Sequence, residues 1–276
     1  MATIIVKRND LEIVVDDHGD PRGDAVLLLH GFPDTADLWR HQVAPLVDAG
    51  FRVLVPDQRG YGRSSKPDEI SKYTIAELVG DVVAILDTAG VTCVHLVGHD
   101  WGANVAWATA TFFPDRVASL AAFSVGHPTA FASAGAAQQV KIWYTLLFQF
   151  EGVAEEWLTK DDGANFKGWF GHPEAERVLS HLDRDNSLRT GIHWYRANLK
   201  PSQWNAPAPQ LPNVRARTLG VWSTLDHALT ETQMTDSAAY VDGTFTYRRL
   251  EGAGHWLPVE RPDLVTELLL AHLEER

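Results

Sequence analysis

The chain has 276 residues, 45% of them hydrophobic, and its 24 Lys and Arg against 36 Asp and Glu give a formal net charge of −12. This much apolar side chain excludes a disordered protein and is enough for one or two domains with a substantial core. The acidic balance would repel a phosphate backbone, so we expect no nucleic-acid partner.

The N-terminal residues and the single cysteine indicate the cellular compartment. The apolar patch within residues 1–10 is shorter than the ~7–15-residue apolar region of a secretory signal, and no stretch approaches the ~20 apolar residues of a membrane helix. Cys93 has no partner for an intramolecular disulfide and lies in an apolar run, which predicts a small buried side chain. We therefore expect a cytoplasmic protein with no membrane partner. Its oligomeric state, a monomer or a homodimer, is left open.

From residue 25 onward, short apolar runs alternate with amphipathic stretches. The predicted strands are at 25–29, 51–55, 93–97 and 117–125, and the predicted helices between them are at 39–49, 75–89 and 104–113. Continuously apolar strands that alternate with helices are typical of a parallel sheet covered on both faces. The first half of the chain is therefore predicted to be α/β, with a mostly parallel sheet.

After residue 125 the alternation stops, and a helical segment follows that holds half of the ten tryptophans. Four prolines between 201 and 212 predict a stiff linker at its end. The predicted elements from here on are helices at 138–150, 173–183 and 263–273 and strands at 217–222 and 244–250. We therefore divide the chain into a core at 1–127 and 213–276 and an inserted helical cap at 128–212.

The sharpest local signal is the sequence G-H-D-W-G at 98–102, which lies between a predicted strand and a predicted helix. Two glycines let the strand and helix close around a central residue on a tight turn, as in a nucleophile elbow. Its central residue, Asp100, carries a carboxylate that needs no base and can attack an electrophilic carbon, leaving an ester on the enzyme. A bare pattern of this kind would favour an N-cap role for Asp100, but the residues around it favour the nucleophile.

Two further turns supply chemistry at the same edge of the predicted sheet. The sequence H-G-F-P at 30–33 follows the first strand, and the backbone N–H groups of Phe32 and Trp101 could stabilise an oxyanion. The sequence G-A-G-H-W at 252–256 follows the last strand, and a neutral imidazole at His255 could remove a proton from water. These turns predict an oxyanion site and a general base.

An acidic residue to orient this base is expected after one of two strands. The turn after 117–125 carries no acid, whereas Asp226 follows the strand at 217–222. The chain order Asp100, Asp226, His255 then matches the nucleophile, acid and base of the α/β-hydrolase fold. The alternative is that Asp226 only caps a helix near Thr230.

On these residues the chain resembles the epoxide hydrolases of the α/β-hydrolase superfamily along nearly its whole length. The turn at 30–33, the sequence D-Q-R-G-Y-G-R-S at 57–64 and the elbow at 98–102 are all typical of that family. Its members use two cap tyrosines as hydrogen-bond donors to the epoxide oxygen. The predicted cap has two tyrosines, Tyr144 and Tyr195.

The resemblance implies the α/β-hydrolase fold with an inserted helical cap, and a reaction in two steps. Asp100 opens an epoxide to a hydroxyalkyl ester while Tyr144 and Tyr195 donate to the departing oxygen. Water activated by His255, which Asp226 orients, then hydrolyses the ester while the N–H pair holds the oxyanion. The product is a vicinal diol, and no metal ion or organic cofactor is required.

We expect a pocket for a small hydrophobic epoxide. Its predicted lining residues are His30, Phe32, Trp101, Trp143 and Trp256, although Trp101 is equally compatible with a packing role alone. Haloalkane and haloacid dehalogenases are the first alternative, since they share the Asp nucleophile. They need no paired cap tyrosines, many haloalkane enzymes have Asn where Phe32 stands, and fluoroacetate enzymes have Arg where Trp101 stands. The second alternative is a non-catalytic ligand-binding homologue, which would have no need of the full set of catalytic groups.

Overall fold

The computed structural model describes residues 2–275 and contains one eight-stranded sheet. Its strands are β1 (Ala2–Arg8), β2 (Leu11–His18), β3 (Ala25–Leu29), β4 (Arg52–Asp57), β5 (Val94–His99), β6 (Val117–Phe123), β7 (Arg217–Ser223) and β8 (Phe245–Leu250). The spatial order is β1-β2-β4-β3-β5-β6-β7-β8. From β4 to β8 all neighbours are parallel, whereas β1 and β2 add two antiparallel pairings at one edge. The predicted mostly parallel sheet is confirmed.

Helices cover both faces of this sheet. Before the cap they are α1 (Arg40–Asp48), α2 (Ile75–Ala89) and α3 (Trp101–Phe112). Successive residues of β3 alternate between two apolar cores: Leu27 packs with α2 and α3, and Leu28 packs with α1 and the C-terminal helix. Because side chains alternate across a strand, a fully buried strand must be apolar on both sides, which explains the continuous apolar runs.

Six helices lie between β6 and β7, in the segment assigned to a cap. They are α4 (Pro128–Ser133), α5 (Gly135–Lys141), α6 (Tyr144–Leu147), α7 (Val153–Phe170), α8 (Ala175–Arg184) and α9 (Ser187–Asn198). The predicted helix at 138–150 is thus divided into α5 and α6, and non-helical residues at 160–163 interrupt α7. After β7 come α10 (Glu231–Thr235), α11 (Leu257–Glu260) and α12 (Pro262–Glu274). The boundaries at 128 and 212 stay predictions.

Five short 3-10 helices complete the described elements. They are at Ala36–Trp39, Ile70–Tyr73, Pro114–Arg116, Pro201–Gln203 and Asp236–Tyr240. The prediction for Cys93 is wrong, because β5 begins one residue later and the Cys93 side chain is exposed. Within residues 2–275, no helix is both long enough and apolar enough to cross a membrane.

Candidate active site

The turn between β5 and α3 consists of Asp100 alone, with φ 53° and ψ −122°, a conformation that L-residues rarely adopt. A Cβ atom on Gly98 would lie 2.4 Å from the Gly102 carbonyl oxygen, and one on Gly102 would lie 2.1 Å from the Leu29 oxygen. Only glycine therefore fits on either side of the elbow. Asp100 occupies the N-cap position of α3, but within the described chain its side chain makes no capping hydrogen bond to that helix.

One oxygen of the Asp100 carboxylate is held by the turn after β3. The Phe32 N–H donates a 2.9 Å hydrogen bond to Asp100 Oδ1. A Cβ atom on Gly31 would lie 2.3 Å from Asp100 Oδ1 and 2.7 Å from the Trp101 nitrogen, so the turn approaches the elbow as closely as a backbone can. This contact leaves Asp100 Oδ2 as the oxygen available for reaction.

Asp100 Oδ2 faces a histidine and a second carboxylate. His255 Nε2 lies 3.5 Å from Asp100 Oδ2, and His255 Nδ1 lies 2.9 Å from Asp226 Oδ2. The other oxygen of Asp226 accepts from the N–H groups of Ala228 and Leu229, each at 2.9 Å. The structure thus brings Asp100, His255 and Asp226 together in one buried line.

Asp226 does not cap a helix, since Thr230 occupies the N-cap of α10. Burial would raise the pKa of the Asp226 carboxyl, but charged His255 and the two backbone donors outweigh it, and the pKa is lowered. Burial would lower the pKa of His255, but Asp226 and Asp100 outweigh that effect and raise it to about 10. At neutral pH His255 is therefore an imidazolium between two carboxylates.

Tyr144 on α6 and Tyr195 on α9 come from the cap and are 6% and 3% exposed. Their ring centroids are 5.9 Å apart, and the Tyr195 ring lies edge-on to Phe32 at 5.6 Å and to Trp101 at 5.1 Å. Burial, followed by the negative charge of Asp100, raises the pKa of Tyr144. Burial, Tyr144 and Asp100 together raise the pKa of Tyr195. Both phenols therefore stay protonated and can act as donors.

The remaining predicted pocket residues lie in different surroundings. Trp256 is buried and lies edge-on to His255 at a centroid distance of 5.0 Å. Trp143 is 42% exposed, and its aromatic neighbours are Trp157 and Trp169.

His30 is buried and its ring stabilises the turn at residues 30–33. Its Nδ1–H donates to the Gly31 oxygen at 2.9 Å, and its Nε2 accepts from the Gln58 N–H at 3.0 Å. Burial lowers the pKa of His30, so the ring stays neutral, as these two hydrogen bonds require. With both nitrogens in use, His30 acts on the turn and not on a ligand.

Comparisons with known proteins agree with this geometry. A family model described as the alpha/beta hydrolase fold matches residues 24–262. Epoxide hydrolase A of Mycobacterium tuberculosis is 33% identical to this chain over an alignment 312 positions long. The alignment covers 98% of this chain and 96% of that protein. The chain belongs to the epoxide hydrolase family of the α/β-hydrolase superfamily.

Two solved structures of epoxide hydrolases have the same overall fold. One, from metagenomes of hot environments, is 29% identical with a TM-score of 0.88 and covers 100% of this chain and 99% of that chain. The other, epoxide hydrolase A from Mycobacterium thermoresistibile, is 30% identical with a TM-score of 0.82. The match covers 99% of this chain and 98% of that one. The predicted fold is confirmed.

The sequence reasoning missed two histidines that lie beside His255. The ring of His255 lies 4.8 Å from that of His99 and 5.9 Å from that of His227. Burial, followed by the charge of His255, lowers the pKa of each neighbour to about 4. They therefore stay neutral while His255 carries the charge. Their sequence positions, directly beside Asp100 and Asp226, were the signal that could have found them.

It also missed a polar connection between the core and the cap. His172 Nε2, from the loop after α7, lies 3.3 Å from Asp34 Oδ1. Asp34 directly follows the turn at residues 30–33. Both side chains are buried, and the His172 ring packs on Trp256 with a centroid distance of 4.7 Å. Asp34 and His172 are 138 residues apart in the chain, and no sequence signal connects them.

Among the residues that the structure describes, no group of three His, Cys, Asp or Glu side chains is arranged to hold a metal ion.

Proposed function

We propose that this chain hydrolyses a small hydrophobic epoxide to a vicinal diol through a covalent ester on Asp100. The observation that carries the proposal is the arrangement around one carboxylate. Asp100 is held by Phe32 on one oxygen and faces charged His255 on the other. Two protonated phenols, Tyr144 and Tyr195, lie in the cap, close enough to Asp100 for its charge to raise the pKa of each. The relatives named above support the same reaction.

In the first step Asp100 Oδ2 attacks an epoxide carbon. A bond forms between that carbon and Oδ2 while the ring carbon–oxygen bond breaks. The developing alkoxide takes a proton from Tyr144 or Tyr195, and donation at this point lowers the barrier because charge builds up only in the transition state. The product is a hydroxyalkyl ester whose carbonyl oxygen, Oδ1, already accepts from the Phe32 N–H.

Ester formation also changes the state of His255. Asp100 and Asp226 raise the pKa of His255 against the effect of burial, and esterification removes the charge of Asp100. The pKa of His255 therefore falls, and its proton can return the tyrosinate to a phenol. The base needed for the second step is thus generated by the first step.

In the second step neutral His255 takes a proton from water, and the oxygen of that water attacks the ester carbonyl carbon. The Phe32 and Trp101 N–H groups stabilise the oxyanion on Oδ1. The bond from the carbonyl carbon to the ester oxygen then breaks, and the second proton of the attacking water goes to the diol. Asp100 is again a carboxylate beside charged His255, so protons and charges balance over the cycle.

The test is to trap the ester. Incubation of His255→Gln with styrene oxide should add the mass of one substrate molecule at Asp100, because the first step proceeds and the second lacks its base. Asp100→Asn, a near-isosteric control, should carry no adduct. Diol formation by wild type with no adduct in the His255 variant would contradict the ester, and halide release from haloalkanes without diol formation from epoxides would favour dehalogenation.

The setting of the protein is a separate proposal. The cytoplasmic location expected from the cysteine usage stays a prediction, and so does the monomeric or homodimeric state. Sedimentation of the purified chain at several concentrations measures the oligomeric state.

A further inference from the structure

The loop between β7 and α10, residues 224–230, carries Asp226, and we call it the acid loop. Several of its backbone groups pair with side chains. The Asp226 carboxylate accepts from the N–H groups of Ala228 and Leu229. The Trp222 indole N–H donates to the Leu229 oxygen at 3.2 Å. The position of Asp226 therefore depends on side-chain hydrogen bonds as well as on the end of β7.

The side chain of Gln138, on α5, makes further hydrogen bonds to the acid loop from the cap. It is buried, and its Nε2 donates to the Ala228 oxygen at 2.9 Å. Its Oε1 accepts from both the N–H and the hydroxyl of Thr230, each at 2.9 Å. One turn later on the same helix, Lys141 Nζ donates to the Asp226 backbone oxygen. A single cap helix therefore contacts the acid loop at three of its residues.

Ala228 connects Gln138 to the catalytic acid. The Ala228 oxygen accepts from Gln138, and the Ala228 N–H donates to Asp226 Oδ1. With Oδ1 paired in this way, the other oxygen of Asp226 lies 2.9 Å from His255 Nδ1. Loss of the Gln138 amide would leave the Ala228 oxygen and the Thr230 N–H without these partners, which disfavours the present conformation of the acid loop.

We propose that Gln138 is a positioning residue for ester hydrolysis: its contacts with the acid loop keep Asp226 in place beside His255, so that His255 can activate water. This proposal rests on the proposed epoxide hydrolysis. Ester formation needs the carboxylate of Asp100 but no base, so Gln138 acts on the second step and not on the first.

The pH dependence of ester hydrolysis reports on the contact between Asp226 and His255. The titratable groups that face the His255 ring are Asp100, Asp226, His99 and His227. In the ester Asp100 is uncharged, and the pKa values of both neighbouring histidines are about 4. Asp226 is then the charge that raises the pKa of His255. Because neutral His255 is the active form, the rate rises with pH through this pKa, and a weaker contact with Asp226 moves that rise to lower pH.

The test measures the two steps separately with styrene oxide. Gln138→Met keeps a side chain of similar length and removes its hydrogen bonds. We expect ester formation within about twofold of wild type and ester hydrolysis slowed about ten- to 100-fold, the effect of displacing a catalytic group by up to about 1 Å. The rise of the hydrolysis rate with pH should move to lower pH. Rapid-quench mass spectrometry over a pH series measures both rates.

Gln139→Met is the matched control, because Gln139 is the next residue of α5 and donates to the Trp204 oxygen at 3.1 Å. This variant loses a hydrogen bond but no contact with the acid loop, so both rates and the pH dependence should equal those of wild type. Thr230→Val is a second test variant. It removes only the hydroxyl that donates to Gln138, and we expect hydrolysis to slow about two- to fivefold.

The inference is overturned if Gln138→Met slows both steps equally, lowers only the melting temperature, or hydrolyses the ester with the pH dependence of wild type. If Gln138→Met does not fold, Thr230→Val decides, and unchanged hydrolysis in that variant overturns the inference. In each of these outcomes wild type still forms and hydrolyses the ester. A wild type that forms no ester would instead overturn the proposed function.

Discussion

The two halves of the site are held in different ways. In the core, the chain backbone positions Asp100 and its partners, because Gly31, Gly98 and Gly102 allow three segments to approach within contact of one another. In the cap, packing among aromatic side chains positions the phenols. Tyr144 lies 4.5 Å from Trp169, and Tyr195 lies 4.9 Å from Phe148, between ring centroids.

Because of this difference, we assign the reaction itself to the rigid core and the choice of substrate to the cap. A backbone contact cannot adjust to an added atom, so the geometry around Asp100 is the same for every substrate. Aromatic packing tolerates exchanges that conserve volume, so side chains of the cap can change without moving Asp100. We therefore expect substitutions in the core to affect every substrate, and conservative substitutions in the cap to affect the reaction only through the groups they remove.

The largest expected effect tests the cap half. Tyr144→Phe combined with Tyr195→Phe keeps both rings but removes both donors, so the alkoxide must leave without a proton. We expect the rate of ester formation to fall about 10²- to 10⁴-fold, the usual contribution of a general acid. Pre-steady-state formation of the adduct measures this rate, and a melting curve checks that the rings still pack. Epoxide opening at the wild-type rate by the double variant would refute the donor role of the two tyrosines.

The core half of the site was the more predictable from sequence, for a physical reason. Short-range rules link a glycine-flanked residue after a strand to a tight turn, and parallel strands bring their carboxyl ends to one edge. These rules brought Asp100, Asp226 and His255 into one hypothesis, and the structure brings them within hydrogen-bond reach or close to it. Their catalytic roles stay predictions.

What the sequence did not show depends on long-range packing. The antiparallel strands β1 and β2 lie before residue 25 and are only partly buried, so they lack the continuous apolar pattern. Trp143 is adjacent to buried Tyr144 in sequence but is itself 42% exposed. Cys93 occupies an apolar run, yet it precedes the strand and is exposed. For Trp143 and Cys93 the local pattern was consistent with burial, and only the tertiary arrangement decides the outcome.

The next effect tests the core half. Gly31→Ala would place a methyl group 2.3 Å from Asp100 Oδ1 and 2.7 Å from the Trp101 nitrogen. The oxyanion site must then open, and we expect ester hydrolysis to slow about 10²- to 10³-fold, as on loss of an oxyanion donor. Single-turnover decay of the ester measures this step. We expect the same fold decrease in the rate of hydrolysis for substrates of different size.

Gly168→Ala is the matched control in the cap, because a Cβ atom there has no neighbour within 4 Å. Gly168 lies in the helical part of α7, so alanine should raise the free energy of unfolding by about 0.5–1 kcal/mol and leave activity unchanged. A Gly31 variant as active as this control would show that the core is not constrained by its backbone contacts.

The smallest expected effect concerns the positive charge of His255, which lies between the carboxylates of Asp100 and Asp226. Burial disfavours charged His255, but Asp226 and Asp100 raise its pKa to about 10, above the ordinary value of 6.5. Because the folded state binds this proton more tightly than the unfolded state, the stabilisation is fully present below pH 6.5 and is lost as the pH rises through about 10. The pKa values of the neighbouring His99 and His227 are about 4, so they do not titrate in this range.

Asp100→Asn removes one of the two charges that hold the proton on His255 and keeps the shape of the elbow. The pKa of His255 should then fall while Asp226 keeps it protonated at lower pH. We expect the variant to lose less free energy of unfolding than wild type between pH 6.5 and about 10, by on the order of 1–2 kcal/mol. Urea unfolding at a series of pH values measures the difference. Parallel curves for the two proteins would mean that Asp100 does not hold the proton on His255, and that esterification could not release the base.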